Sequence, residues 1–439
     1  MGRMLVFISP YLCSLMEKRR SVALHTLGCK LNFSETSTLS RLLEKDGFEK
    51  KEFDDHADVY VINTCSVTDN ADKDCRMLVR RIQKRAPESL VVITGCYAQL
   101  KPQQIAAIPG VDLVLGAGEK FNISAHLKEL TKGDSAKISS CDTDDVSGFN
   151  PSFSLNDRTR SFLKVQDGCD YNCSFCTIPM ARGKSRSNSI AKAVQNAQEL
   201  AQAGVKEIVL TGVNLGDFGK GPDGNKSTEE DFYQLIQVLD EVEGINRYRI
   251  SSIEPNLLTN EIIAFVSRSK KFMPHFHIPL QSGSNRILGL MRRRYKRELY
   301  TERVEQIKTL MPHCAIGVDV IVGFPSETDA DFEETFNYLH TLDVSYLHVF
   351  TYSERDQTKA LDIKPVVPVH VRNERNKVLR NLSYQKMQYF TQQHNGNKRP
   401  VLFERFEKNG MMEGYTDNYI RIETPYRKEW ANELVDWTI

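Results

Sequence analysis

Apolar residues in the first third of the chain fall in short, dense runs that stop at turn formers. "SVALHTLGC" ends at Cys29, "ADVYVINTC" at Cys65 and "SLVVITGC" at Cys96, and "VDLVLGAGE" follows. Their length and β-branched content predict buried strands. Between them, "SETSTLSRLLEKDGF" and "DNADKDCRMLVRRIQKRA" carry the wider spacing of amphipathic helices. Strand alternating with helix predicts a parallel sheet covered on both faces, here over residues 21–131. Residues 132–158, rich in Ser, Asp and Gly and without period, read as a linker. Six further strand-like runs follow: "RSFLKVQDG", "KEIVLTG", "RYRISSIEP", "HFHIPLQSG", "AIGVDVIVGFP" and "VSYLHVFTYS". Helical stretches separate them, which predicts an open, partial (β/α)6 barrel over 159–396 with its site at the carboxyl edge of the strands. From 397 to 439 a period of two around Asn409-Gly410 predicts a small antiparallel β-barrel. The fold class is therefore α/β, with three folded units.

Composition narrows the function. No apolar run approaches the length of a membrane span. A net charge of +1 over 439 residues gives no global polyanion signature, so any nucleic-acid surface must be local. The apolar stretch within residues 1–20 is interrupted by Pro10 and lacks a cleavage pattern, so it reads as an extension rather than a signal peptide. Ten cysteines are too few for a disulfide framework in a chain of this length. Six of them sit where ligands belong, which predicts a reducing compartment, the cytoplasm.

Cys29, Cys65 and Cys96 each end a predicted strand, so a parallel sheet would gather them beyond one edge. A second set, Cys169, Cys173 and Cys176 in "CDYNCSFC", lies just after a strand of the predicted barrel. Zinc is the plain alternative, yet no second CxxC or histidine pair lies nearby. Three thiolates suit a [4Fe–4S] cluster that keeps one iron open. Phe175, directly before the last cysteine, would lie against whatever binds there.

C-x3-C-x2-C with an aromatic before its last cysteine resembles the radical S-adenosylmethionine superfamily. "TLGCKLN", "INTCSVT" and "ITGCYAQ", followed by "DGCDYNCSFCTIPMARGKSRS", resemble its methylthiotransferases. "LTGVNLGDFG", "SSIEP", "HIPLQSGSNRIL", "MRRRY" and "DVIVGFPSET" continue the likeness along the barrel. The resemblance implies two [4Fe–4S] clusters and S-adenosylmethionine as cofactors. Cys169, Cys173 and Cys176 match the ligands of the radical cluster, and Cys29, Cys65 and Cys96 those of an auxiliary cluster that holds or supplies sulfur. One S-adenosylmethionine yields a 5′-deoxyadenosyl radical and another provides the methyl group. Such chemistry serves a carbon that has neither an acidic proton nor a leaving group. Gly212, Asn214, Ser252, Glu254, Gln281 and Val322, at or near strand ends, are candidate contacts for S-adenosylmethionine, although each alone also reads as a turn or cap.

"GCKLN" and "IPMARGKSRS" resemble the branch of the family that acts on N6-threonylcarbamoyladenosine at tRNA position 37. Sibling branches modify isopentenyladenosine, with Gln where this chain has Lys30, or an aspartate of a ribosomal protein. The C-terminal unit resembles a TRAM domain, an RNA-binding module. The implied partners are a tRNA anticodon loop, an electron donor such as flavodoxin or ferredoxin, and a sulfur source; no membrane is involved and a monomer is expected. Candidate phosphate contacts are Arg182, Lys184 and Arg186 after the cysteine loop, and Arg292, Arg293 and Arg294 in "MRRRYKR". The helix bearing Arg76, Arg80, Arg81, Lys84 and Arg85 is another, with a solvated face as the plainer account. Tyr415 and Tyr419 either stack on bases or pack a core. Cys13, Cys75, Cys141 and Cys314 lack ligand spacing, and His25 and His277 lie within strands, where packing or one hydrogen bond is usual. From a different class, a two-cluster electron-transfer protein or a zinc-bearing RNA-binding protein fits the same cysteines.

Overall fold

A computed structural model describes residues 19–65, 69–133, 135–143, 146, 148–221 and 229–439. Most of the expected N-terminal extension, with Cys13, lies outside the described residues. The first unit is a six-stranded sheet of β1 (Ser21–Thr26), β2 (Glu49–Lys51), β3 (Val59–Thr64), β4 (Leu90–Gly95), β5 (Leu113–Leu115) and β6 (Lys137–Ser139). The order is β2-β1-β3-β4-β5-β6 and every pair is parallel. Every residue of β3 and β4 is buried. Alternation along β3 sends Tyr60 and Ile62 into one core with Val79, Ile82 and Ile93. It sends Val59 and Val61 into the other, with Leu39, Leu43 and Val92. Helices therefore cover both faces, as expected for a parallel sheet. The edge strands β2 and β6 are short and largely exposed. They blunt the sheet edges and carry too little apolar pattern to be legible beforehand.

The stretch 132–158 is not without structure. It contributes β6 to the first sheet, and then β7 (Ser152–Phe153), which pairs antiparallel with β8 (Ser161–Lys164). A short ribbon joins β9 (Gln166–Asp167) to β10 (Arg186–Ser187) across the cysteine loop. The barrel continues with β11 (Glu207–Thr211), β12 (Arg247–Ile250), β13 (His275–Gln281), β14 (Ala315–Val322) and β15 (Tyr346–Thr351). β8, β11 and β12 form one parallel group, and β13, β14 and β15 another. Bridges from Tyr248 to Phe272 and from Ser252 to His277 join the two groups. Six parallel strands thus follow one another in chain order, as the pattern predicted.

The last unit is a four-stranded antiparallel sheet of β16 (Lys398–Phe403), β17 (Met411–Thr416), β18 (Arg421–Pro425) and β19 (Leu434–Thr438), in the order β18-β17-β16-β19. It docks on the amino-terminal end of the barrel through two buried arginines. Arg247 donates to the carbonyls of Pro400 and Tyr415, and Arg249 to those of Thr416 and Asp417. Buried Glu207 balances both charges. Tyr419 stacks on His275 at 4.2 Å, and Arg160 lies over the Tyr415 ring at 4.4 Å. These two tyrosines therefore pack between units, the second of the two roles considered for them.

Candidate active site

Three adjacent strands deliver the first cysteine set. Cys29 caps the amino end of α1 (Lys30–Lys45), which begins at the cysteine itself, earlier than its apolar pattern suggests. Cys65 directly follows β3, and Cys96 opens α3 (Cys96–Leu100) after β4, with α2 (Asp69–Arg85) lying between these two in the chain. A Cβ placed on Gly28 would lie 2.6 Å from that of Cys65, so the first two cysteine segments touch. Gly95, just before Cys96, has φ +99° and ψ −166°, a region open essentially to glycine alone. A side chain there would collide with the Thr64 carbonyl beside Cys65.

The second set occupies the loop after β9, at the carboxyl edge of the barrel. Burial pushes the Cys169 and Cys176 thiols up to about 12, and the three cysteines oppose one another's ionisation. Burial also raises Cys173, while Arg293 opposes that by donating to its Sγ at 3.1 Å. Cys96 is likewise raised by burial, against the pull of Arg182 and Lys120, with Cys29 close enough to add to the rise. Thiols that range from exposed Cys29 through half-buried Cys65, Cys169, Cys173 and Cys176 to buried Cys96, close to one another within each set, suit binding to metal, which deprotonates them. Each cysteine of a [4Fe–4S] cluster takes a separate iron, so a set need not converge on one point. Among the described residues no three His, Cys, Asp or Glu side chains converge on a single-ion position. The donor sets fit clusters.

Glu254, Gln281, Asn214 and Ser252 stand at or just past the strand ends above this loop. Glu254 pairs with Arg293, which ties it to Cys173. Burial raises the Glu254 pKa and Arg293 lowers it in part. Gln281 has φ +72° at the irregular end of β13. Asn214 donates its backbone N–H to Gln166 and leaves its buried Oδ1 without a partner. A Cβ placed on Gly212 would crowd Gln166 and Leu215, each at 2.9 Å. Val322 is buried, and its carbonyl accepts from Tyr352. Phe175 packs edge-on against Phe324 at 6.4 Å. Within β13, His277 pairs with Asp319 at 2.9 Å, the single polar contact expected of it. His25 packs against Phe53 at a tilt of 45°, and Cys75 and Cys314 are buried. Burial, followed by Asp72, pushes Cys75 up to about 12, which leaves it inert at neutral pH.

The candidate phosphate contacts separate. Lys184, Arg292 and Arg294 are exposed, and Arg294 lies over Tyr171 at 3.9 Å. Arg293 does not face solvent, because Glu254 and Cys173 enclose it. Arg182 and Arg186 are also buried and are not phosphate contacts. Arg182 ends α4 (Ile178–Arg182), bonding Asp167 at 2.9 Å, Glu35 of α1 at 3.0 Å, and Asn32. Lys120 and Lys164 complete the grip on Glu35, at 2.6 and 3.0 Å. Arg186 and Lys164 hold Asp167. Burial alone would raise Glu35, but Arg182, Lys120 and Lys164 outweigh it and hold the carboxyl well below its usual range. This knot fastens the two cysteine-bearing units together. In α2, Arg81 and Arg85 pair with Asp54, and Arg76 bonds the Tyr97 hydroxyl.

Between Cys29 and the barrel interior lies a cavity of about 220 Å³, lined by Lys30, Phe33, Arg158, Arg160, Arg249, His275 and Tyr419 among others. Lys30 lines this cavity while keeping exposed surface, and partial desolvation by the surrounding protein lowers its pKa; Tyr419 opposes this and Arg160 adds to it.

Comparison with known proteins accords with this geometry. Residues 21–116 match the family described as "Uncharacterized protein family UPF0004", and residues 163–339 match the radical SAM superfamily. Threonylcarbamoyladenosine tRNA methylthiotransferase MtaB of Bacillus subtilis is 40% identical over 428 residues, covering 94% of this chain and 92% of the relative. The protein of that name from Aquifex aeolicus is 40% identical, covering 93% and 97%. A tRNA-2-methylthio-N(6)-dimethylallyladenosine synthase of Clostridium tetani is 30% identical, covering 94% and 92%. The radical S-adenosylmethionine methyltransferase TsrM of Kitasatospora setae shares the fold, with a TM-score of 0.51 at 14% identity over 76% of this chain and 75% of its own. Two cysteine sets on an α/β sheet and a six-stranded open barrel, in a chain matched along almost its whole length, lead to one conclusion: the protein belongs to the tRNA methylthiotransferases of the radical S-adenosylmethionine superfamily.

Proposed function

We propose that the chain adds a methylthio group to C2 of N6-threonylcarbamoyladenosine at position 37 of tRNA. The carrying observation is that two separate three-cysteine sets are fastened together by the Glu35–Arg182 knot, on a chain 35–40% identical to relatives named for that nucleoside and 30–31% identical to those named for dimethylallyladenosine. Cys169, Cys173 and Cys176 would hold the cluster that supplies an electron for cleaving S-adenosylmethionine. Cys29, Cys65 and Cys96 would hold a second [4Fe–4S] cluster, the site of sulfur. Arg293 orients Cys173 and pairs with Glu254, while Asn214, Ser252 and Gln281 offer polar groups to the amino-acid end of S-adenosylmethionine. Adenine C2–H is an unactivated position, and an anticodon-loop base can be splayed from its stack to reach an open barrel. Lys184, Arg292 and Arg294 supply exposed charge for the RNA backbone. A low-potential donor of the flavodoxin or ferredoxin kind, a sulfur source, a monomeric state and a cytoplasmic setting complete the reading.

Nucleoside mass spectrometry of tRNA tests it. A strain lacking the gene should lose 2-methylthio-N6-threonylcarbamoyladenosine and regain it on complementation; persistence of that nucleoside in the absence of a redundant enzyme would refute the assignment. The geometry at Gly95 offers a test of the second cluster. Gly95→Ala forces a residue into a strained region worth about 1–3 kcal/mol, before the collision with Thr64 is counted. Anaerobically purified Gly95→Ala protein should therefore carry about half the wild-type iron and sulfide. An unchanged content would mean that the turn at Gly95 does not position a cluster ligand.

A further inference from the structure

The cavity beside Cys29 has an unusual charge balance. Among the described residues four cations line it, and no carboxylate does. Two are already held: Arg249 by Glu207 at 2.7 Å, and Arg160 by Glu404 at 3.1 Å. Lys30 has no ion pair or hydrogen bond among the described residues. Among the described residues Arg158 has only the rings of Phe33 and Phe162 beneath it, at 4.5 and 6.0 Å. His275 also faces the cavity; its Nε2 meets the Tyr346 hydroxyl at 2.7 Å, and its buried Nδ1 has no partner. The amino terminus of α1 opens at the same place, which favours a negative group.

We propose that this cavity receives an N6 substituent ending in a carboxylate, and that Lys30 and Arg158 bind the carboxylate and so select the substrate. The assignment rests on the proposed reaction at threonylcarbamoyladenosine and adds to it the residues that recognise the tail. At about 220 Å³ the space falls below the 300–1,000 Å³ of sites that enclose a complete ligand, so it suits a substituent rather than a whole nucleoside. His275 Nδ1 is placed for the hydroxyl or amide of the same tail. Apolar walls from Phe33, Phe162, Val209 and Ile250 would also accept a prenyl group. Lys30 and Arg158 keep part of their surface in water; a prenyl group laid against them returns nothing for the water it displaces, whereas a carboxylate replaces that water with charge-assisted bonds. The cavity thereby accepts an acid and rejects a hydrocarbon by the same two side chains.

The test compares binding of two anticodon stem-loop RNAs to the cluster-loaded enzyme. One carries N6-threonylcarbamoyladenosine, and the other the methyl ester of its threonyl carboxyl. Wild type should prefer the acid by about 10- to 100-fold, the range of a charged hydrogen bond. Lys30→Met and Arg158→Met should each reduce that ratio by about tenfold, while binding of the ester stays unchanged. Because the ratio is taken within one protein, a partly misfolded variant does not disturb it. An unchanged ratio in both variants overturns the assignment, as does an equal fall for acid and ester, which would give these cations to the RNA backbone or to the Cys29 site. Turnover measured in parallel separates the two levels. If wild type methylthiolates isopentenyladenosine RNA and not threonylcarbamoyladenosine RNA, the substrate reading fails and this assignment falls with it. If it acts on threonylcarbamoyladenosine RNA and the ratio ignores both variants, only the assignment fails.

Discussion

Cys65→Ala enzyme is expected to transfer no methylthio group and yet to cleave S-adenosylmethionine at close to the wild-type rate. Cys65 follows β3, a strand buried in a core made wholly by the first unit, and that core holds none of the residues around Cys169, Cys173 and Cys176. The second set has its own supports, chiefly the bond from Arg293 to Cys173 and the pairing of Arg293 with Glu254. Loss of one strand-end thiol should leave these untouched. Cys173→Ala should abolish both activities. Reductant-dependent formation of 5′-deoxyadenosine, measured beside the thiolated nucleoside, separates the outcomes. A well-folded Cys65→Ala protein that no longer cleaves S-adenosylmethionine would refute the division of labour.

The second large effect is expected at Glu35. Truncation to alanine leaves Arg182, Lys120 and Lys164 buried without the carboxylate they share, although Asp167 still serves Lys164 and Arg182. Removing one partner of a buried ion pair costs about 3–5 kcal/mol. The first thermal transition should fall by on the order of 10 °C. The pH dependence has a definite sign. Glu35 has a folded pKa well below the ordinary 4.5, so its contribution is fully present above about pH 4.5 and disappears as the pH falls through the lowered value. The stability gap between wild type and Glu35→Gln should therefore be constant from neutral pH down to that point and then close. A gap that widens on acidification would contradict the burial of a charged Glu35.

Glu35 also marks the limit of what the amino-acid order disclosed. Strand-end cysteines were legible because β3 and β4 are buried on both faces and so read as unbroken apolar runs. The partial barrel was legible for the same reason. The edge strands β2 and β6 escaped because an exposed edge needs no apolar pattern. The basic "RGKSR" segment suggested RNA contact, but its two arginines turn inward. Arg186 pairs with Asp167, 19 positions away, and Arg182 also meets Glu35, 147 positions away. Nothing local distinguishes a solvated arginine from one that will meet a distant buried carboxylate. The one available hint was α1 itself, whose buried side includes Asn32, Ser34, Glu35, Thr36, Ser37 and Ser40. A polar helix face in a soluble protein either meets water or meets another polar surface, and here it meets the barrel.

The contrast between the two cysteine sets bears on maturation. Cys169, Cys173 and Cys176 are neighbours along the chain, so a nascent or loosely folded polypeptide already presents them together. Cys29, Cys65 and Cys96 become neighbours only once β1, β3 and β4 have paired. On the proposed assignment, the loop site needs only local structure to bring its ligands together, whereas the sheet-edge site exists only as a product of folding. Conditions that slow strand pairing without unfolding the barrel should thus yield a protein able to start the reaction and unable to finish it.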